Sequence, residues 1–263
     1  MNKKNLIFNV LLLMLISSIA STAANAFVVL IDPGHGGEEL GAISKVWIKS
    51  RSGKRKLVNV YEKDLSLRLA KLVKKKLDKN YTTYLTRSVD RTLTLEERSG
   101  MADTVKADLF ISIHFNSSKN SQFSGLETYY LDNHKDVAIK KVEAIENKDL
   151  TGGDKIVNQI LIDLVIQKTV SQSKKLANLV HLNLKKNVSK KFQVKDRGIK
   201  PGLFYVLALS KRPGILVEAG FMSNPKEIWK LKSKNYLDKY ASAIANGVKS
   251  YFKGMPQKGL PLF

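Results

Sequence analysis

A few residues of this 263-residue chain have the types and positions that metal-assisted hydrolysis needs. The chain has no cysteine, so a tightly held transition metal must be bound by histidine and carboxylate. Only four histidines exist: His35, His114, His134 and His181. His35 lies in Asp32-Pro-Gly-His-Gly-Gly37, where the glycines let the backbone turn sharply and leave the imidazole open. His114 opens His-Phe-Asn116, and Glu218 opens Glu-Ala-Gly220. Two histidines and a carboxylate with one open position make a catalytic zinc site. Glu62, in Asn59-Val-Tyr-Glu62-Lys-Asp, is the best-placed carboxylate for the third ligand. Each residue also has an ordinary reading. A histidine after a strand is commonly structural, Glu218 could cap a turn, and Asn59-x-x-Glu62 matches a helix capping box. His134 and His181 read as surface or structural residues.

The elements that must position these groups are strands and helices in alternation. Phe27–Ile31, Asp108–Ile113 and Gly214–Val217 are short apolar runs of the kind buried in parallel sheets. Residues 82–86 and 126–131 add two more strands. Leu65, Leu69, Leu72, Val73 and Leu77 fall at helical spacing, as do Leu237, Tyr240, Ala241, Ile244, Val248 and Tyr251. Leu176, Leu179, Val180 and Leu184 mark a third helix, with Ser171 as its N-cap. The pattern predicts an α/β fold: one catalytic domain with a twisted, mostly parallel sheet flanked by helices. In such sheets sites gather beyond the carboxyl ends of the strands, where His35, His114 and Glu218 fall. Residues 45–56 read as an exposed basic loop, 133–170 as a helical insertion, and 254–263 as a loosely ordered tail.

Composition bounds the rest. The 45 Lys+Arg against 23 Asp+Glu give a net charge of +22, which calls for an anionic partner. At 43% hydrophobic, the chain can build a core. Residues 1–26 have Lys3 and Lys4, an apolar run and Ala24-Asn25-Ala26, the pattern of a cleaved signal peptide. Cleavage before Phe27 removes two lysines and no acid, taking the charge from +22 to +20. The expected location is outside the cytoplasm: the periplasm first, with secretion or wall association as alternatives. No transmembrane anchor is expected after cleavage. Export argues against nucleic acid as the partner and for an envelope polymer.

At these same residues the sequence resembles the zinc-dependent N-acetylmuramoyl-L-alanine amidases of bacterial cell walls. The resemblance rests on Val29-Leu-Ile-Asp-Pro-Gly-His-Gly-Gly37, Glu62-Lys-Asp-Leu65 and Leu85-Thr-Arg-Ser-Val-Asp90. It continues through Leu95-Glu-Glu-Arg98, Ala107-Asp-Leu-Phe-Ile-Ser-Ile-His-Phe-Asn116 and Val217-Glu-Ala-Gly-Phe-Met-Ser-Asn-Pro225, covering about residues 27–253. It implies one Zn²⁺ per chain held by His35, Glu62 and His114, with Glu218 as catalytic acid/base. It also implies hydrolysis of the amide between the lactyl group of N-acetylmuramic acid and L-alanine in peptidoglycan, for wall remodelling or daughter-cell separation. Glu38-Glu-Leu-Gly-Ala42 and the longer basic stretch 45–60 depart from the family's pattern. Arg87, Arg91 and Arg98 either meet acidic stem peptides or pair with Asp90, Glu96 and Glu97.

The insertion 133–170 is either an extra packing layer or a control element. Glu146-Asn147, Gly152-Gly153 and Ile160-Leu-Ile-Asp-Leu164 resemble the regulatory insert of division-associated amidases. That resemblance implies autoinhibition: a carboxylate of the insert, Glu146 first and Glu143 second, fills the open zinc position until an activator protein displaces it. Two other functions fit the same residues, a zinc peptidase acting on murein stem peptides and a non-catalytic envelope-binding module.

Overall fold

The computed structural model describes residues 27–50, 53–147 and 155–255. The expected signal peptide, the middle of the insertion and most of the tail lie outside the described residues. The strands are β1 (Val28–Pro33), β2 (Ile43–Lys49), β3 (Arg55–Tyr61), β4 (Thr82–Leu85), β5 (Leu109–Asn116), β6 (Leu126–Leu131), β7 (Asp196–Gly202) and β8 (Gly214–Phe221). The helices are α1 (Glu62–Leu77), α2 (Leu95–Thr104), α3 (Val137–Glu146) and α4 (Lys155–Leu184). A π turn, Lys185–Ser189, links α4 to α5 (Lys190–Phe192), and α6 (Tyr205–Ser210), α7 (Glu227–Lys232) and α8 (Lys234–Lys253) follow.

Six strands form one sheet in the order β4-β1-β5-β8-β6-β7. Every pairing is parallel except β6 with β8. The apolar runs at β5 and β8 are buried along their whole length, so they take the centre, where both faces are covered. Both run further than their apolar cores suggest, which carries His114 and Glu218 inside strands. The two residues are direct register partners across β5 and β8.

Helices cover both faces. The amphipathic α1 and α8 pack with the later half of α4 through Leu69, Val73, Leu176, Val180, Leu237 and Ile244. On the other face, α2, α3, α6 and the earlier half of α4 contribute Ala102, Ile139, Leu207, Ile162, Val165 and Ile166. One helix therefore serves both cores. At 1.5 Å per residue, a helix of 30 residues is about 45 Å long, enough to pass the edge of the sheet.

This continuity corrects two expectations. Ser171 lies within α4 and caps nothing, and the insertion has no boundary at residue 170, because its second helix is the front of a core helix. The basic stretch 45–56 is also not a loop throughout: residues 45–49 lie in β2 and 55–56 in β3, which pair antiparallel with Val46 opposite Val58 and Trp47 opposite Leu57. Alternation of apolar and basic residues is a strand signal that the lysine content hid.

Candidate metal centre

β1 ends in a loop that the chain holds rigidly. Asp32 is buried and accepts from Thr86 Oγ1 (2.6 Å), Ser112 Oγ (2.9 Å) and Arg98 Nη1 (3.0 Å). Burial alone would raise its carboxyl. The Arg98 charge and the hydroxyl donors outweigh that and hold it below the ordinary carboxylate range. Arg98 also donates to the carbonyls of Pro33 and His35, while Arg87 donates to those of Pro33 and Gly34. The two arginines are thus buried loop anchors. Neither pairs with the acids expected from sequence, and Glu97 instead closes a capping box with Thr94 at the start of α2. So held, His35 adopts φ 57°, a region few non-glycine residues enter.

The loop brings His35 beside His114. Gly34 lies against the His114 ring: a Cβ there would stand 2.3 Å from Cε1. Glu62 starts α1 and is buried. Its Oε2 accepts from the Ala42 amide (2.8 Å) and its Oε1 from the Phe115 amide (2.9 Å). The capping-box reading therefore fails. The N-cap is Tyr61, without a side-chain cap bond, and Asn59 donates to the Tyr61 hydroxyl instead.

Four groups converge. Glu62 Oε1 lies 3.2 Å from His35 Nε2 and 3.3 Å from His114 Nδ1. Glu146 Oε2, at the end of α3, lies 2.8 Å from His114 Nδ1 and 3.7 Å from His35 Nε2. All four donor atoms fall within 4.8 Å of one another. A tetrahedral ion with bonds of about 2.0–2.1 Å sets its donors about 3.3 Å apart. His35 Nε2 and His114 Nδ1 are buried, and neither has a hydrogen bond of good geometry. Geometry and donor set fit a small divalent cation. The carboxylates hold both rings toward the protonated form. Burial opposes this, but the Glu62 charge raises His35, and Glu146 with Glu62 raises His114 well above the ordinary range. Burial works against the Glu62 charge too, and the His35 charge overcomes it to lower that carboxyl.

Glu218 stands beside His114 with both carboxylate oxygens buried and unpartnered. Burial, then the Glu146 charge, push it well above the ordinary carboxylate range. Sequence reasoning missed its other neighbour. Glu127 is the register partner of Glu218 on β6, and it accepts from Tyr129 Oη, Asn116 Nδ2 and Lys200 Nζ. A glutamate within the apolar run of residues 126–131 was the available signal, because a buried acid needs partners.

The second insert carboxylate is elsewhere. Glu143 accepts from the Leu203 amide and contacts His134 Nε2. Asn147, just beyond α3, donates to the Leu203 carbonyl (2.7 Å) and accepts from the Tyr205 amide (3.0 Å). Together they fasten the end of α3 to residues 203–205 and leave Glu146 over the cluster. His181 is structural, bound to Thr128 Oγ1 and Asp196 Oδ1. A cleft of ≈ 460 Å³ adjoins the cluster, lined by His35, Glu38, Gly41, Glu62, Asn116 and Glu146 among others.

Fold and cluster together define an α/β domain with a candidate metal centre at the carboxyl ends of its central strands. Residues 29–250 match the family model described as N-acetylmuramoyl-L-alanine amidase, and the chain belongs to that family. It is 34% identical over 236 residues to the N-acetylmuramoyl-L-alanine amidase AmiC of Escherichia coli O6:H1, a match covering 86% of this chain and 52% of that protein. To LytC of Bacillus subtilis strain 168, also an N-acetylmuramoyl-L-alanine amidase, it is 33% identical over 226 residues, covering 86% of this chain and 35% of that protein. The chain thus spans about half the length of these relatives or less. Its fold is similar to the crystal structure of an N-acetylmuramoyl-L-alanine amidase from Clostridium difficile 630, with TM-score 0.64 and 31% identity over 88% of this chain and 100% of that one.

Proposed function

We propose that the chain is a peptidoglycan amidase that cleaves the bond between the lactyl group of N-acetylmuramic acid and L-alanine. His35, Glu62 and His114 hold one zinc ion, and Glu218 is the acid/base. The observation that carries this reading is the convergence of two orphaned imidazole nitrogens with a twice-anchored Glu62 carboxylate, beside a buried and unpartnered Glu218. Zinc bound there would polarise the amide carbonyl and lower the pKa of a bound water to about 7. The Ala42 and Phe115 amides orient Glu62 for this task. Glu218 takes a proton from the attacking water and returns it to the departing amine of L-alanine.

Glu146 makes the described state a closed one. Its carboxylate takes the place that substrate and water need, and Glu143 and Asn147 hold α3 down. Activation in this reading is displacement of α3 by a partner protein. Residues 1–26 are a signal peptide removed before Phe27, which places the domain in the envelope. Among the described residues, no helix is long and apolar enough to cross a membrane.

The test uses purified sacculi, zinc and a Glu146→Ala protein, with mass spectrometry of the products. Peptides beginning at a free L-alanine amine, beside peptide-free glycan, are expected. Cuts between amino acids would mean a peptidase instead, and no release would end the enzyme reading. Adding Glu218→Gln to that protein should lower turnover by roughly 10²–10⁴ while one zinc stays bound. Loss of the metal in that variant would mean that Glu218 is a ligand.

A further inference from the structure

The metal centre leaves one built surface of the chain unused, the outer face of the β2–β3 hairpin. Side chains alternate along a strand, so Ile43, Lys45, Trp47 and Lys49 share a face with their cross-strand partners Tyr61, Asn59, Leu57 and Arg55. Trp47 is 60% exposed, Ile43 51% and Leu57 42%, and Lys45, Lys49 and Arg55 are exposed around them. The opposite face is held: Val46 and Val60 are buried in the main core, and the Ser44 hydroxyl donates to the Met222 carbonyl. A tryptophan paired with a leucine in the open, ringed by cations, has the make-up of a binding patch rather than of an ordinary strand surface.

The root of the hairpin is the rim of the metal cleft. Ala42 lines the cleft and donates to Glu62, Ile43 is its neighbour, and Tyr61 immediately precedes Glu62. From Ile43 to Trp47 is about 13 Å along the strand. A polymer held with one bond at the cleft can therefore also lie along this face. An indole beside an aliphatic side chain covers the apolar face of a sugar ring. The flanking ammonium and guanidinium groups suit carboxylates.

We propose that the outer face of the β2–β3 hairpin is a binding subsite for the peptidoglycan that flanks the bond to be cut. Trp47 with Leu57 stacks on a sugar ring, and Lys45, Lys49 and Arg55 pair with stem-peptide carboxylates. The assignment of this occupant rests on the substrate reading above.

Co-sedimentation of the full chain with purified sacculi tests it, using Glu218→Gln as the parent so that the polymer survives. Trp47→Ala should weaken binding about tenfold at every salt concentration, and Trp47→Phe should recover most of it. A Lys45→Gln, Lys49→Gln, Arg55→Gln triple variant should bind less at low salt, with the gap closing as salt rises. That gap should vanish on glycan stripped of its peptides. Thermal unfolding of each variant should match the parent, since these side chains leave the held face intact. Binding within twofold of the parent in both variants overturns the proposal. So does a Trp47→Ala effect on self-association in place of sacculus binding, which would assign the face to a second copy of the chain. Peptide release by the Glu146→Ala protein is scored separately. Release with no hairpin effect removes the subsite and keeps the amidase; a hairpin effect with no release does the reverse.

Discussion

Glu62 has both carboxylate oxygens engaged by backbone amides, of Ala42 and Phe115, and still faces two imidazoles. If a metal binds as proposed, such anchoring would hold the carboxylate in place ahead of it and support the site's affinity. The same logic makes Gly34 sensitive. A Cβ there meets the His114 ring at 2.3–2.6 Å, so Gly34→Ala must displace the ring. Zinc affinity, measured by competition with a chromogenic chelator, should fall about 10–100-fold while the far-ultraviolet circular dichroism is kept. Asp32 acts one layer further in. Its folded-state pKa is depressed, so its contribution to stability is complete above the unfolded value of about 3.9 and is lost as pH falls through the lower folded value. Asp32→Asn leaves Arg98 buried without its counter-charge and should cost about 3–5 kcal/mol at neutral pH. In denaturant titrations against pH, the gap between the variant and the parent should narrow below about pH 4.

At the scale of elements, α3 and α4 behave differently although both fall within 133–170. α3 carries one buried apolar residue, Ile139, and is tied down mainly by polar contacts from Glu143 and Asn147. An element held by a few hydrogen bonds can be lifted at low cost, whereas α4, inserted into both cores, cannot. Asn147→Ala removes two of those bonds. It should raise partner-free peptide release from sacculi by about tenfold, at ~1 kcal/mol or a little less per bond. An unchanged rate would show that the fastening does not set the closed state. Deleting 133–170 outright should instead abolish cooperative thermal unfolding, because Ile139, Ile162, Val165 and Ile166 leave the core with it.

The whole molecule carries a net charge of +22, far more than any single site uses. Such a field attracts an anionic polymer over a distance set by ionic strength. Retention of the full chain on sacculi should therefore fall steadily between about 50 and 500 mM salt, with the portion owed to Trp47 surviving to the end. Salt-insensitive retention would show that the charge has another purpose. N-terminal sequencing of exported protein should begin at Phe27.

Much of this protein is already determined by local pattern. Short apolar runs and amphipathic spacings specify an α/β sheet, and strand-end chemistry at His35, His114 and Glu218 marks its working edge. These follow because burial and turning are governed by residues adjacent in the chain. The resemblance in Asp32-Pro-Gly-His-Gly-Gly37 and its companions pointed to the family, and it agreed with placement in making Glu62 the candidate third ligand. Tertiary structure decided what depends on partners far apart in sequence. Glu146 rather than Glu143 faces the cluster because residues 203–205 seize the latter and Asn147. Glu62 is a fixed acid and not a cap because Ala42 and Phe115 reach it. Ser171 vanishes into α4 because two cores on opposite faces of the sheet reward one unbroken helix. Glu127 goes unnoticed in the sequence, and Arg87 and Arg98 read there as contacts for acidic stem peptides or as partners of Asp90, Glu96 and Glu97. Only the fold shows them buried, where each charge must find its partners across the sheet or along the loop it holds.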